Sequence, residues 1–349
     1  MRLGLDVGNA KVKLALDVEG ETRFATHLPP YRAERRYDRA ADFEEGIDAA
    51  VERVLEGRPR DGVEAAVAVT SSGYSYPSFE EGVRHTAAIL ARALPDARCF
   101  LLSGRAEPVA TEAIGRGEAA FDQLAFTNAS GAVVLARQAA FRGLVVDIGG
   151  STAGTTVLAD EGVDPAAFAD PAGWLDHRLR HGKLCWIGAE STPLEMLLPE
   201  VTLGGRAYPV IPRGVPFRNV SLLLELVDPA RLKRLSFFGL LPGRDLALRA
   251  LADALGADRT MLSDDALLDA AHQLADAAVA RLAAAFARAR QTASPNARER
   301  ALVFGIGAPL AERALASIGV EVERGADRWG PKPAEIASVV GALEAARRA

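Results

Sequence analysis

At 349 residues, 49% of them hydrophobic and 25% charged, the chain is expected to be a folded globular protein with room for two cores, not a disordered one. A formal net charge of −5 leaves no broad basic field, which argues against a nucleic-acid partner. No apolar run approaches the length that crosses a bilayer and the first residues already read as a strand, so the expected location is the cytoplasm, with no membrane partner.

From Arg2 to Thr26 the pattern is strand, loop, strand, a turn at Glu19-Gly20, and a third strand, an antiparallel meander. Residues 29–40, PPYRAERRYDRA, are polar and read as an exposed loop. Phe43, Ile47, Ala50, Val51 and Val54 recur at helical spacing and predict a helix over 41–55. A buried strand over 63–69 ends in Thr70-Ser71-Ser72-Gly73. A helix over 79–94, a strand over 99–102 and an Ala-rich helix over 129–140 complete the first half. Cys99 opens the second of these strands, where a small thiol is core. Cys99 and Cys185 form no C-x-x-C, so neither a zinc site nor a disulfide framework is indicated.

The second half opens at 144–158 with another strand, turn and strand. Residues 160–216 hold many of the prolines and glycines, with strand-like pieces at 184–187 and 207–211, and read as a substrate-shaping insertion. Helices follow over 217–228, 244–256 and 264–291. A strand over 301–304 runs through Gly305-Ile306-Gly307 into a helix near Pro309. A strand over 318–323 and a helix over 333–347 close the chain. The long Ala-rich helix leaves internal packing and a homodimer seam both open.

Chemistry gathers at three glycine turns: Asp6-Val7-Gly8, Asp147-Ile148-Gly149 and Gly305-Ile306-Gly307. Glycine lets backbone N–H groups approach phosphate oxygens with no Cβ in the way, while a carboxylate at a strand end can hold Mg2+, orient water or take a proton. Ordinary hairpin turns use the same letters, so one copy alone says little. Of 41 basic residues only five, at 11, 13, 183, 233 and 332, are lysine. Lys11 and Lys13 share one strand face, either solvated or anion-binding. His177 and His181 stand four apart, but Arg178 and Arg180 crowd them with positive charge, which disfavours a metal there.

The order of these turns resembles a duplicated actin-like, ribonuclease H-like α/β fold: two lobes, 1–142 and 143–349, the second carrying the insertion at about 160–216. Within that superfamily of sugar kinases, chaperone ATPases and actin, the chain resembles the hydantoinase/oxoprolinase-related branch. It is most similar there to short proteins of tetrahydromethanopterin-linked one-carbon metabolism, including the methanofuran-biosynthesis synthase. Asp6-Val7-Gly8-Asn9-Ala10-Lys11-Val12-Lys13 stands against D-I-G-G-A-N-T-K, and Asp147 to Gly154 against D-I-G-S-T-T-T-D. Arg178-Leu179, Gly182-Lys183-Leu184, Trp186, Gly188 and Ser191-Thr192-Pro193 stand against R-L-x-x-G-E-L-x-Y-x-G-x-x-R-T-P. Lys183 replaces a Glu of that motif, Ser191 an Arg, and the second loop lacks its terminal Asp.

The resemblance implies an enzyme that joins an aminomethylfuran-methyl diphosphate to the phenol of a γ-glutamyltyramine-type acceptor and releases diphosphate. It implies Mg2+ as cofactor and a small phosphorylated substrate as partner. Asp6 and Asp147 would be metal ligands or general bases, with Lys13 as catalytic counter-charge. Gly8, Asn9, Lys11, Gly149, Gly150, Ser151 and Thr152 would cradle the diphosphate, and Ser71, Ser72, Arg178, Lys183 and Thr192 would meet the substrate. The alternative of the same superfamily is an ATP-dependent kinase or amide-ring hydrolase, with Gly305 and Gly307 on the nucleotide side. A third reading is a non-catalytic paralogue.

Overall fold

The structure is a computed structural model describing residues 1–8, 11–27, 40–70, 76–160, 162–228, 243–294 and 297–349. Asn9, Ser71, Ser72 and nearly all of the expected loop 29–40 lie outside the described residues.

The N-terminal strands are β1 (Arg2–Val7), β2 (Val12–Val18) and β3 (Glu21–His27), followed by helix α1 (Ala40–Leu55) and strand β4 (Ala65–Thr70). Then come α2 (Phe79–Ala93), β5 (Arg98–Leu102), β6 (Pro108–Ala110), α3 (Thr111–Gly115) and α4 (Asn128–Gln138). Among the described residues these strands form one sheet in the order β3-β2-β1-β4-β5-β6. β1, β2 and β3 are the antiparallel meander, while β1, β4 and β5 run parallel. β4, AAVAVT, is buried at every position, as a central parallel strand covered on both faces must be. Ser78 caps α2 by accepting the Glu81 N–H at 3.1 Å, the start of a Ser-x-x-Glu capping box. Short β6 and α3 carry too little periodicity to be read from sequence. Burial pushes the Cys99 thiol up to about 12, so it stays protonated as a core residue.

The second sheet is built from β7 (Gly143–Ile148), β8 (Ala153–Ala159), β9 (Gly162–Val163), β10 (Leu184–Cys185), β13 (Arg300–Phe304) and β14 (Glu321–Arg324). Its order is β10-β8-β7-β13-β14, with β9 on β8. Helices α5 (Ala166–Ala169) and α6 (Trp174–Arg180) precede β10, and a separate hairpin joins β11 (Glu200–Leu203) to β12 (Arg206–Pro209). α7 (Arg218–Leu223), α8 (Arg244–Ala254), α9 (Asp264–Gln291) and α10 (Ala308–Ser317) follow. Ser263 caps the long α9, whose Leu267, Leu274, Leu282 and Phe286 are all buried.

The chain ends in α11 (Gly325–Trp329), α12 (Pro331–Glu335) and α13 (Ala337–Ala346). The single helix expected over 333–347 is therefore broken at Ile336, whose φ of −116° and ψ of 36° are not helical. Among the described residues no helix is long and apolar enough to cross a membrane.

Contacts divide the chain into two units. One comprises Met1–Val145, Thr156–Arg180 and Ile336–Ala349, the other Val146–Thr155 and His181–Glu335. The stretch 160–216, expected as one insertion, is thus shared between them at Arg180/His181. The first part is tied to its unit by the Trp174 N–H, which donates to Asp122 Oδ2 at 2.8 Å, and by Arg178, which donates to the Phe126 carbonyl.

In the first unit α13 packs on β1 and α4 with almost no side chain between backbones. A carbon added at Gly341 would lie 1.9 Å from the Gly131 carbonyl oxygen, and one at Gly4 would lie 2.3 Å from the Leu343 nitrogen. Arg347 extends this seat by donating from Nε to Asp17 Oδ2 at 2.8 Å, which holds the Asp17 carboxyl below the usual carboxylate range. A folded-state pKa below the unfolded one gives stability that is present above the unfolded value and lost as pH falls through the folded one. Asp17→Asn should therefore be less stable at neutral pH and show a shallower acid limb. Urea midpoints of both proteins from pH 7 down to pH 3 check this, and parallel curves would sink it.

Candidate functional site

The first loop is organised by register. The antiparallel pairing of β1 and β2 sets Asp6 directly opposite Lys13, and the Gly8 N–H donates to the Lys11 carbonyl at 3.0 Å to close the turn. Asp6 is buried, and its carboxylate collects three donors: Lys13 Nζ and Ser338 Oγ each reach Oδ2 at 2.7 Å, and Asn128 Nδ2 reaches Oδ1. A buried carboxylate needs hydrogen-bond donors, and Asp6 has three, one of them cationic. Lys13 and Ser338 occupy Oδ2 and Asn128 occupies Oδ1, so a divalent cation bound at Asp6 would share its carboxylate with these donors. In this geometry Asp6 joins Lys13, Asn128 and Ser338 through one carboxylate. Lys11 is buried and Lys13 only partly so.

The second unit holds the other two turns. β7 and β13 are neighbours, and their C-terminal ends bring Asp147-Ile148-Gly149 against Gly305-Ile306-Gly307. Gly305 has φ +89°, and a side-chain carbon there would lie 2.2 Å from the Ile148 carbonyl oxygen and 2.5 Å from Asp147 Oδ1. Only glycine meets both conditions. The Gly307 N–H donates to the Ile148 carbonyl at 3.0 Å, and Gly307 then caps α10 with Pro309 in its first turn. Asp147, half-buried, is thus the carboxylate lying against the third glycine turn.

The middle motif buttresses the second loop. The Gly149 N–H closes the turn on the Thr152 carbonyl at 2.9 Å. The Ala189 N–H donates to the Gly149 carbonyl at 3.0 Å, and those of Glu190 and Ser191 both donate to the Gly150 carbonyl, at 2.8 and 2.9 Å. Ser151 and Ser191 hydroxyls lie 2.6 Å apart. Buried Thr192 uses its hydroxyl within the motif, accepting the Gly188 N–H at 2.9 Å and donating to the Gly188 carbonyl at 3.1 Å. Lys183 is buried, and its carbonyl accepts the Thr155 N–H at 2.8 Å. Both expected substrate contacts thus lie in the segment that packs on the second loop. Arg178 is buried in the first unit and donates to the Phe126 carbonyl.

Four residues at these loops escaped sequence reasoning. Asn128 stands just before the helix expected over 129–140, and Ser338 is the one hydroxyl in the run AEIASVVGALEAA. Glu190 filled an unspecified place in the middle motif. It is buried, and a side-chain carbon on Gly150 would come within 2.7 Å of its Oε2. Arg218 donates its backbone N–H to the Glu190 carbonyl at 2.8 Å. Burial lowers the pKa of the Arg218 guanidinium, and the Glu190 charge opposes that shift.

Of the glycines in the second unit's turns, Gly149 leaves room for a phosphate oxygen, since an added carbon there would meet only the Thr152 carbonyl at 3.8 Å, whereas the space at Gly150, Gly305 and Gly307 is filled by Glu190, Asp147 and Ile148. Mg2+ is commonly held by one or two carboxylates plus substrate phosphates. Asp147 fits that demand, whereas among the described residues no group of three or more His, Cys, Asp or Glu forms a protein-only cage. His177 is buried with Nδ1 3.2 Å from Asp170 Oδ2, an internal pair within the first unit.

No protein-family model and no curated protein matches the chain. Among solved structures it is similar to the nucleotide-free form of acetone carboxylase, an enzyme of ATP-dependent acetone carboxylation, with TM-score 0.57 and 11% identity over 98% of this chain and 70% of that one. It is also similar to component A of (R)-2-hydroxyglutaryl-CoA dehydratase from Acidaminococcus fermentans, with TM-score 0.48 and 11% identity over 99% and 98% of the two chains. A third is the ADPNP-bound activator of 2-hydroxyisocaproyl-CoA dehydratase from Clostridium difficile, with TM-score 0.45 and 13% identity over 99% and 94%. At such identities the likeness speaks for fold, and the fold is the actin-like α/β class expected from the order of the three glycine turns.

Proposed function

We propose that this chain is an enzyme that binds a substrate carrying a phosphoanhydride at its glycine turns and breaks a bond to one of its phosphates. The observation that carries the reading is the meeting of Asp147 with Gly305, two turns far apart in sequence that combine a carboxylate with a backbone free of side chains. The N-terminus of α10 favours the developing anion, and the carboxylate can hold or take a proton.

Within this class the motifs favour a transferase of methanofuran-type cofactor biosynthesis. The phenol oxygen of the acceptor forms a bond to the furfuryl carbon as the carbon–oxygen bond to diphosphate breaks. Diphosphate leaves with the electron pair and the phenolic proton passes to Asp147. Mg2+, when bound, neutralises the leaving diphosphate. Ser151 adds a hydroxyl at the second loop. The second reading, an ATP-dependent phosphotransferase or ring hydrolase, is favoured by Gly307 at the N-terminus of α10 and by the fold shared with an ATP-dependent carboxylase.

Thermal unfolding with Mg2+ and either inorganic diphosphate or ATP separates them. A ligand at about 100 times its Kd stabilises by about 2.7 kcal/mol, a shift easily read. A shift with diphosphate but not ATP is expected for the transferase, and a shift with ATP plus phosphate release for the second reading. No shift with either would overturn the enzyme reading in favour of a non-catalytic paralogue.

A further inference from the structure

The amide that Asn128 donates to Asp6 depends on a segment with an unusual backbone. Phe126 has φ +54°, a left-handed conformation that a bulky residue seldom adopts. Something must hold it, and the neighbouring contacts show what does. The Thr127 N–H donates to the Thr70 carbonyl at 2.9 Å, and Thr127 Oγ1 accepts the Thr70 N–H at 3.2 Å. Thr70 ends β4 beside Val7, whose carbonyl accepts the Thr70 hydroxyl at 3.3 Å. On the other side, Arg178 donates from Nη1 to the Phe126 carbonyl at 2.7 Å and lies 4.6 Å above the Trp174 ring centroid. Trp174 is itself packed against Gly104, where an added carbon would come within 2.4 Å of the indole.

We infer that Arg178 is a positioning residue: it fixes the left-handed Phe126 through its carbonyl and so aims the Asn128 amide at Asp6, setting the first loop's affinity for an anion. This rests on the proposed phosphoanhydride reading and gives Arg178 a different part from the direct substrate contact that its motif implies. An arginine suits the task because its planar guanidinium can stack on the indole and donate at the same time. A lysine can supply the donor without the stack. Burial lowers the Arg178 pKa to about 10, which leaves it charged at neutral pH.

The test compares the wild type with Arg178→Met, Arg178→Lys, Asn128→Ala and the Arg178→Met/Asn128→Ala double variant. The binding measurement is calorimetry with inorganic diphosphate and with ATP, each with Mg2+. Arg178→Met and Asn128→Ala should each weaken the probe that the wild type binds by about tenfold, Arg178→Lys by less, and the double variant no more than Asn128→Ala alone. A double variant weaker by the product of the two single losses would mean that Arg178 touches the ligand, and unchanged affinity in Arg178→Met would also overturn the inference. Urea midpoints of the same four variants report without ligand: the two losses should be less than additive, and full additivity would overturn the coupling. If the wild type binds neither probe while the midpoints remain non-additive, the functional reading fails and the structural coupling stands. Arg178→Lys keeps the test decisive should Arg178→Met not fold.

Discussion

Replacing Asp147 by Asn is expected to lower turnover by about 10^2- to 10^4-fold while shifting the melting temperature by no more than about 2 °C. The substitution keeps the shape that packs on Gly305, whose Cα leaves room for Asp147 Oδ1, and removes the negative charge and the proton-accepting oxygen. Stability should hardly change because Asp147 is only half-buried and the new side chain is isosteric. The measurement is product release, diphosphate or phosphate according to which probe the wild type binds, with melting curves alongside. Full activity in the variant would remove Asp147 from the chemistry. A collapse of the melting temperature would instead make it a structural residue.

Placing a methyl group on Gly341 should cost about 3 kcal/mol or more, the upper end of what overpacking does in a core. Its carbon would lie 1.9 Å from the Gly131 carbonyl oxygen and 2.4 Å from the Gly131 carbonyl carbon. Neither is the end of a flexible side chain, so α13 has to move away from α4. Ser338, one turn earlier, would then withdraw from Asp6, so the loss of stability should be accompanied by weaker binding of whichever anion probe the wild type accepts. Gly115→Ala is the control: its added carbon meets nothing within 4 Å, and it sits in α3, where alanine is the better residue. Equal urea midpoints for Gly341→Ala and Gly115→Ala would show that the crossing tolerates a side chain.

Most of the fold was legible because its elements announce themselves over short distances. The helical spacing of Phe43, Ile47, Val51 and Val54 marks α1, and the uninterrupted AAVAVT marks a strand covered on both faces. Both depend only on which neighbours along the chain are apolar. The same local grammar placed the three glycine turns at strand ends. Among what it missed were elements too short to show a period, β6, α3, β9, α5, α6 and β11, and the break at Ile336, where no proline or glycine stands.

The candidate site divides along the same line. By itself the sequence determined which residue types stand at each turn: Asp6 and Gly8, Asp147 and Gly149, Gly305 and Gly307. Only the tertiary structure decided their partners, because partnership depends on register and packing between distant segments. Strand pairing set Lys13 opposite Asp6, and the glycine-to-glycine approach of α13 and α4 delivered Ser338 to the same carboxylate. Adjacency of β7 and β13 laid Asp147 on Gly305. Arg178 shows the difference most plainly: its motif implied a substrate contact, and only the tertiary structure shows it buried over Trp174 and donating to the Phe126 carbonyl, since a buried guanidinium must find acceptors within the protein.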